Sequence, residues 1–200
     1  MKYLVVVDMQ NDFIDGSLGT KEAESIVDKV AAKIEGFMKE ASEGNADTHR
    51  ILFTMDGHDA GTYLDLTQEG KLLPVEHCIV PTHGWNLNDN IYALGKKCTE
   101  MFGRDRTLVF DKDTFGSTGM GKYIELMDEI GYRTQEIILV GLCTDICVIS
   151  NALLLKAFAP EAKIIVDASC CAGTTPENHE NALKAMRQCQ IYIENWEGEV

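Results

Sequence analysis

Short apolar, β-branched runs recur along the chain at Tyr3–Val7, Ile51–Met55, Thr107–Phe110, Ile137–Val140, Lys163–Val166 and Ile191–Ile193. Each has the length and residue types of a strand. Between most of them the hydrophobic period lengthens to that of a helix. Lys21 to Ser42 sets Ile26, Val30, Ile34, Phe37 and Met38 on one face. Gly121 to Ile130, closed by Gly131, predicts a shorter helix. Asp145 to Phe158 is apolar almost throughout, which predicts a buried helix. Pro176 to Gln188 has Pro near its start and turns Leu183 and Met186 inward.

Strands alternating with helices imply right-handed βαβ crossovers and a parallel sheet. Near-continuous apolar strands imply burial on both faces. The pattern therefore predicts an α/β fold, a three-layer α/β/α arrangement around a six-stranded, mostly parallel, Rossmann-like sheet. Gly57 to Met101 interrupts the alternation. It has a turn-rich start, three of the five histidines and two of the four prolines. It is expected to be an excursion, residues 57–101, lining a site within a single domain spanning 1–200.

Composition narrows the partners. The formal net charge is −14, from 32 acidic and 18 basic side chains. That balance disfavours nucleic acid and anionic membranes. The chain starts directly into a strand and carries no stretch long enough to span a bilayer, so a cytoplasmic location is expected. Seven cysteines is an odd count, and most are expected to be free thiols.

In open parallel sheets ligands sit beyond the carboxyl ends of the strands. Asp8, Asp56 and Lys112 follow the first three strands, and the fourth leads through Gly141 to Cys143 and Cys147. A cysteine hydrolase needs a thiolate, a proton acceptor and a charge that steadies both. Asp8 suits the acceptor, Lys112 the charge and Cys147 the nucleophile. Each has a plainer reading alone: Asp8 ends a strand, Lys112 is a solvated lysine, and Cys147 is a small core residue. Gly116-Ser117-Thr118-Gly119-Met120-Gly121-Lys122 imitates a phosphate loop, but Tyr123 stands where that motif needs Ser or Thr.

Three segments together resemble the isochorismatase-like cysteine hydrolases, the superfamily that includes nicotinamidases. They are Val5-Val6-Val7-Asp8-Met9-Gln10-Asn11-Asp12-Phe13, Lys112-Asp113-Thr114-Phe115 and Gly141-Leu142-Cys143-Thr144-Asp145-Ile146-Cys147-Val148. The resemblance implies a triad of Asp8, Lys112 and Cys147. It implies a cis peptide before Cys143 and an oxyanion hole from the Cys143 and Cys147 amides. Cysteine at 143, where the family more often has a small residue, is a departure that could confer redox sensitivity. Phe13 matches the family's aromatic residue beside the site; Trp85 and Phe115 are further candidate substrate walls.

Asp56-Gly57-His58 and the later His77 would suit zinc, iron or manganese. Nicotinamidases use such a set, with a further histidine or glutamate in some. Glu69 could take that place here. The resemblance thus implies hydrolysis of a small-molecule amide, nicotinamide first among candidates, by a homo-oligomer. Carbamoyl or ureido substrates are the same-family alternative. A non-catalytic thiol protein sensing oxidants through Cys143 and Cys147 is the alternative of another kind.

Overall fold

All six apolar runs form strands, and all pair in parallel in the order β3-β2-β1-β4-β5-β6. The structure is a computed structural model that describes residues 1–198. The strands are β1 (Lys2–Val7), β2 (His49–Asp56), β3 (Thr107–Lys112), β4 (Glu136–Leu142), β5 (Lys163–Ala172) and β6 (Tyr192–Glu194). Alternate residues serve opposite faces. Leu4 and Val6 of β1 enter one core, whereas Tyr3, Val5 and Val7 enter the other.

One layer contains α1 (Asn11–Ile14), α2 (Lys21–Glu43) and α5 (Asp89–Phe102). The other contains α6 (Thr118–Glu129), α7 (Ile149–Phe158) and α8 (Pro176–Gln188). Two short helices, α3 (Tyr63–Leu66) and α4 (Gln68–Leu72), lie in the excursion. Side chains of Thr20, Asn88, Ser117 and Thr175 cap α2, α5, α6 and α8. Each satisfies an amide that the helix leaves without an internal partner. Among the described residues no helix is long and apolar enough to cross a membrane.

Several boundaries differ from expectation. The sheet is wholly parallel rather than mostly so. The second half of the excursion is a regular crossover helix, α5, which buries Ile91, Leu94, Cys98 and Phe102 against α2 and the sheet. Its helical spacing was obscured by the turn-rich stretch before it. β5 runs beyond the expected Val166 to Ala172 and includes Cys170 and Cys171. They face opposite cores. The strand continues past Val166 because its polar interruption is satisfied: Asp167 pairs with Lys33 at 2.6 Å and accepts from Ser169 and Asn195. The run from Asp145 divides. Thr144–Val148 is a wide π-helical turn, and α7 begins at Ile149.

Gly141 explains how β4 delivers that turn. Its φ is +116°, and a Cβ there would collide with the Val7 carbonyl oxygen. Only glycine lets β4 lie this close to β1 in this conformation.

Candidate active site

The strand order sets the ends of β3, β2, β1 and β4 side by side. Lys112 and Asp56, the last residues of β3 and β2, are register partners. Asp8 follows β1 with φ at +45°, which turns the chain sharply away from the sheet. All three side chains are almost wholly buried.

The Lys112 ammonium lies 2.7 Å from Asp8 Oδ2, 3.3 Å from Asp56 Oδ1 and 3.5 Å from Cys147 Sγ. Asp8 Oδ1 accepts from the Thr54 hydroxyl at 2.7 Å. Burial pushes the Asp8 carboxyl above its ordinary pKa, with Lys112 opposing. Burial also raises the Cys147 thiol, and the neighbouring Asp8 carboxylate adds to the effect. Burial acts to lower Lys112, but the acidic groups around it outweigh this and hold it charged. A cation thus sits between a buried carboxylate and the Cys147 sulfur. Such a group stabilises negative charge on either partner.

Cys147 lies on the π-helical turn, one turn after Cys143. The Leu142–Cys143 peptide is cis, as the resemblance implied. The Val148 amide donates to the Cys143 carbonyl at 3.0 Å. Asn151, fully buried, donates to the Cys147 carbonyl at 2.8 Å and to the Phe115 carbonyl at 3.2 Å. It accepts from the Ser117 amide at 2.9 Å. Asn151 therefore ties the nucleophile turn to the loop that follows Lys112. Thr144 Oγ1 contacts His179 Nδ1 at 2.8 Å and joins the turn to α8.

A second cluster adjoins the first. Candidate ligand atoms of Asp56, His58, Glu69 and His77 all lie within 4.8 Å of one another. Asp56 Oδ2 is 2.9 Å from His58 Nε2 and 3.5 Å from His77 Nε2. His77 Nε2 is 3.7 Å from Glu69 Oε1. The Nδ1 of His77 is 2.8 Å from the Val75 carbonyl. That contact requires a proton on Nδ1, so in the neutral ring Nε2 is the lone-pair nitrogen. Burial acts to raise Asp56, but His58, His77 and Lys112 together hold its carboxyl well below the usual range. Burial acts to lower His77, yet Asp56 and Glu69 push it up to about 10. The two carboxylates draw positive charge to this point.

Both clusters border one cavity of about 440 Å³. Phe13, Phe115, Cys143, Cys147, Asp56, Glu69 and His77 all line it. Trp85 does not. It lines a separate groove with Phe53, Met55 and Tyr92 on the α5 side. As a large aromatic residue it was a candidate substrate wall, but it does not line the cavity, and its carbonyl accepts from the Gln10 side chain at 2.8 Å.

Gln10, Asn11, Asp12, Thr54 and Asn151 were not picked out from sequence as structural supports of the site. The Gln10 amide brackets Asp56, donating to its carbonyl at 2.8 Å and accepting from its amide at 2.7 Å. Asn11 donates to the His83 carbonyl at 2.9 Å, and Asp12 accepts from the Cys78 amide at 2.7 Å. These three residues fasten the excursion to the end of β1. Their adjacency to Asp8 in one polar run was the available signal.

The isochorismatase domain family matches residues 2–198. The chain belongs to the isochorismatase family. Among isochorismatase-family relatives, a nicotinamidase of Saccharomyces cerevisiae is 29% identical over 210 residues, covering 88% of this chain and 91% of the relative. The crystal structure of a pyrazinamidase/nicotinamidase from Streptococcus mutans is 28% identical with a TM-score of 0.77, covering 96% of this chain and 99% of that one. A pyrazinamidase of Pyrococcus horikoshii, solved in complex with zinc, has a TM-score of 0.73 at 21% identity, covering 98% and 99%. At that identity the likeness shows the fold alone.

Proposed function

We propose that this isochorismatase-family protein is a cysteine-dependent amidohydrolase that converts a small aromatic amide, nicotinamide first, to its acid and ammonia. The observation that carries the reading is the buried contact of Lys112 with both Asp8 and Cys147, the last of which lines the cavity. The names of the yeast and streptococcal relatives support the choice of substrate.

In this reading Cys147 attacks the amide carbonyl while its proton passes to Asp8. Burial leaves Asp8 a better proton acceptor than an exposed carboxylate. Lys112 keeps its charge throughout and offsets the negative charge on sulfur and carboxylate. The Cys143 and Cys147 amides, on one turn at the cavity wall, receive the developing oxyanion. Asp8 returns the proton to the departing ammonia, leaving a thioester. Asp8 then takes a proton from water, which attacks the thioester and frees the acid and the thiol. Phe13 and Phe115 flank the ring.

The donor set of Asp56, His58, Glu69 and His77 fits a divalent metal, with zinc first and iron or manganese also suited. Metal–ligand bonds of about 2.0–2.2 Å put ligand atoms roughly 3 to 4.4 Å apart, close to the spacings found here. The inferred Nδ1–H contact of His77 to Val75 leaves Nε2 as its ligand atom. When bound, such an ion would polarise or orient a ring nitrogen or a water.

The test is ammonia release from nicotinamide, pyrazinamide, N-carbamoyl amino acids and ureidoacrylate by wild type and Cys147→Ala. Turnover of the aromatic amides by wild type alone is expected. Wild-type rates in Cys147→Ala would overturn the mechanism, and preference for a ureido or carbamoyl compound would overturn the substrate.

A further inference from the structure

The cavity extends beyond what a nine-heavy-atom carboxamide fills. Its volume of about 440 Å³ lies in the range of sites for larger ligands. Part of its lining is chemical, with Cys147, Asp56, Glu69 and His77. The apolar part of its lining is assembled from four separate segments. Leu18 comes from the loop after α1, Leu72 and Leu73 from the end of α4, Phe115 from the loop after β3, and Ile146 from the nucleophile turn.

Two of these side chains are conspicuously wet. Leu72 is 77% exposed and Phe115 is 47% exposed. A single exposed leucine on a surface is ordinary. Apolar groups converging from four segments on one cavity that also holds a reactive thiol are not scattered in that way. They line the same cavity as the Cys147 thiol.

We infer that this apolar part of the cavity is a specificity site for an apolar substituent on the aromatic amide. The inference rests on the amidohydrolase reading above and extends it. The preferred substrate is an alkyl- or aryl-substituted ring carboxamide, with the carboxamide at Cys147 and the substituent against Leu18, Leu72, Leu73, Phe115 and Ile146. Binding would remove apolar surface of both partners from water, a gain of about fourfold in affinity per buried methylene.

The experiment is a substrate series: nicotinamide bearing methyl, ethyl and propyl groups meta or para to the carboxamide. Ammonia release is measured with wild type and with Leu72→Ser and Leu18→Ser/Leu72→Ser. In wild type, kcat/KM is expected to rise severalfold with each carbon in at least one ring position. In the double variant that rise flattens, while nicotinamide itself is turned over as before. Calorimetric binding of the same series to Cys147→Ala gives the slope without turnover. Flat or falling kcat/KM and affinity in both ring positions would overturn the inference while leaving the amidohydrolase reading intact. An unchanged slope in the double variant would overturn it equally. Absence of ammonia from every compound, nicotinamide included, would overturn both.

Discussion

Lys112 reaches past the end of β2 to set its ammonium 2.7 Å from Asp8, a residue two strands away. Neighbouring strands are about 4.8 Å apart, so the Lys112 and Asp8 side chains together bridge roughly two such spacings. A long, flexible cation can do this and still bring its charge 3.5 Å from the Cys147 sulfur. The same reach makes Lys112 the cation that balances Asp8, whose other oxygen accepts from the neutral Thr54 hydroxyl.

That pairing gives the first prediction. Lys112→Met should lower ammonia release by on the order of a hundredfold or more. It should also destabilise the fold by about 3–5 kcal/mol, because a buried carboxylate loses its counter-charge. The double variant Asp8→Asn/Lys112→Met should regain much of the stability and none of the activity. Thermal melts of the three proteins, read beside their rates, check both statements. Equal melting of single and double variants would contradict them.

Purified protein should carry about one equivalent of divalent metal by elemental analysis. His77→Ala and Asp56→Asn should each lose it, and a chelator should lower the melting temperature of wild type but not of His77→Ala. Glu69→Gln should weaken binding less, since Glu69 is the more exposed member of the set. Full metal content in His77→Ala would remove that residue from the ligand set.

Asn151 makes three hydrogen bonds around the nucleophile turn. Asn151→Asp keeps its shape and its acceptor but loses its donors. The expected result is a fall in kcat of roughly 10- to 100-fold with KM little changed, since the side chain does not line the cavity. Alkylation of Cys147 by iodoacetamide should slow in parallel, a readout that general loosening would move the other way.

The Lys33–Asp167 pair links α2 to β5. Burial acts to raise Asp167, but Lys33, Asn195 and Ser169 hold its pKa below the ordinary 3.8. A depressed carboxylate stabilises the fold fully above its unfolded value and loses that contribution as pH falls through its folded value. The stability advantage of wild type over Asp167→Asn should therefore be constant from neutral pH to about 5 and shrink below 3.8. Chemical denaturation at a series of pH values measures this. A gap that widens on acidification would refute it.

Gly141→Ala should be among the most damaging single-methyl changes in the sheet. It combines a positive φ with a collision against Val7. A loss of about 2–4 kcal/mol is expected from strain and overpacking together. Soluble yield and the urea midpoint report it, and a wild-type midpoint would show that β4 can move away from β1.

The sheet was legible because its strands are short β-branched runs, and burial on both faces leaves them few polar residues. Asp8, Lys112 and Cys147 were legible because each stands beside such a run. Both signals are local. Local signals failed where partners lie far away in sequence. Asp167 and Ser169 looked like a strand end until Lys33 and Asn195 were seen to satisfy them. Asn151 looked like one polar residue in an apolar helix, yet its partners lie up to 36 positions away. Trp85 looked like a wall because its ring is large, but the Gln10 side chain fixes where its backbone sits. Helix α5 was hidden because its start abuts a turn-rich loop.

Asp56 turns one oxygen to Lys112 and the other to His58 and His77. A single carboxylate is therefore shared property between the thiol chemistry and the ligand set, and neither can be retuned alone. A substitution meant to change the bound ion would alter the field at the sulfur. One meant to sharpen the nucleophile would alter the hold on the ion. For transplanting this chemistry into another scaffold, the smallest portable unit is the ends of four adjacent parallel strands together with the segment that carries His58, Glu69 and His77.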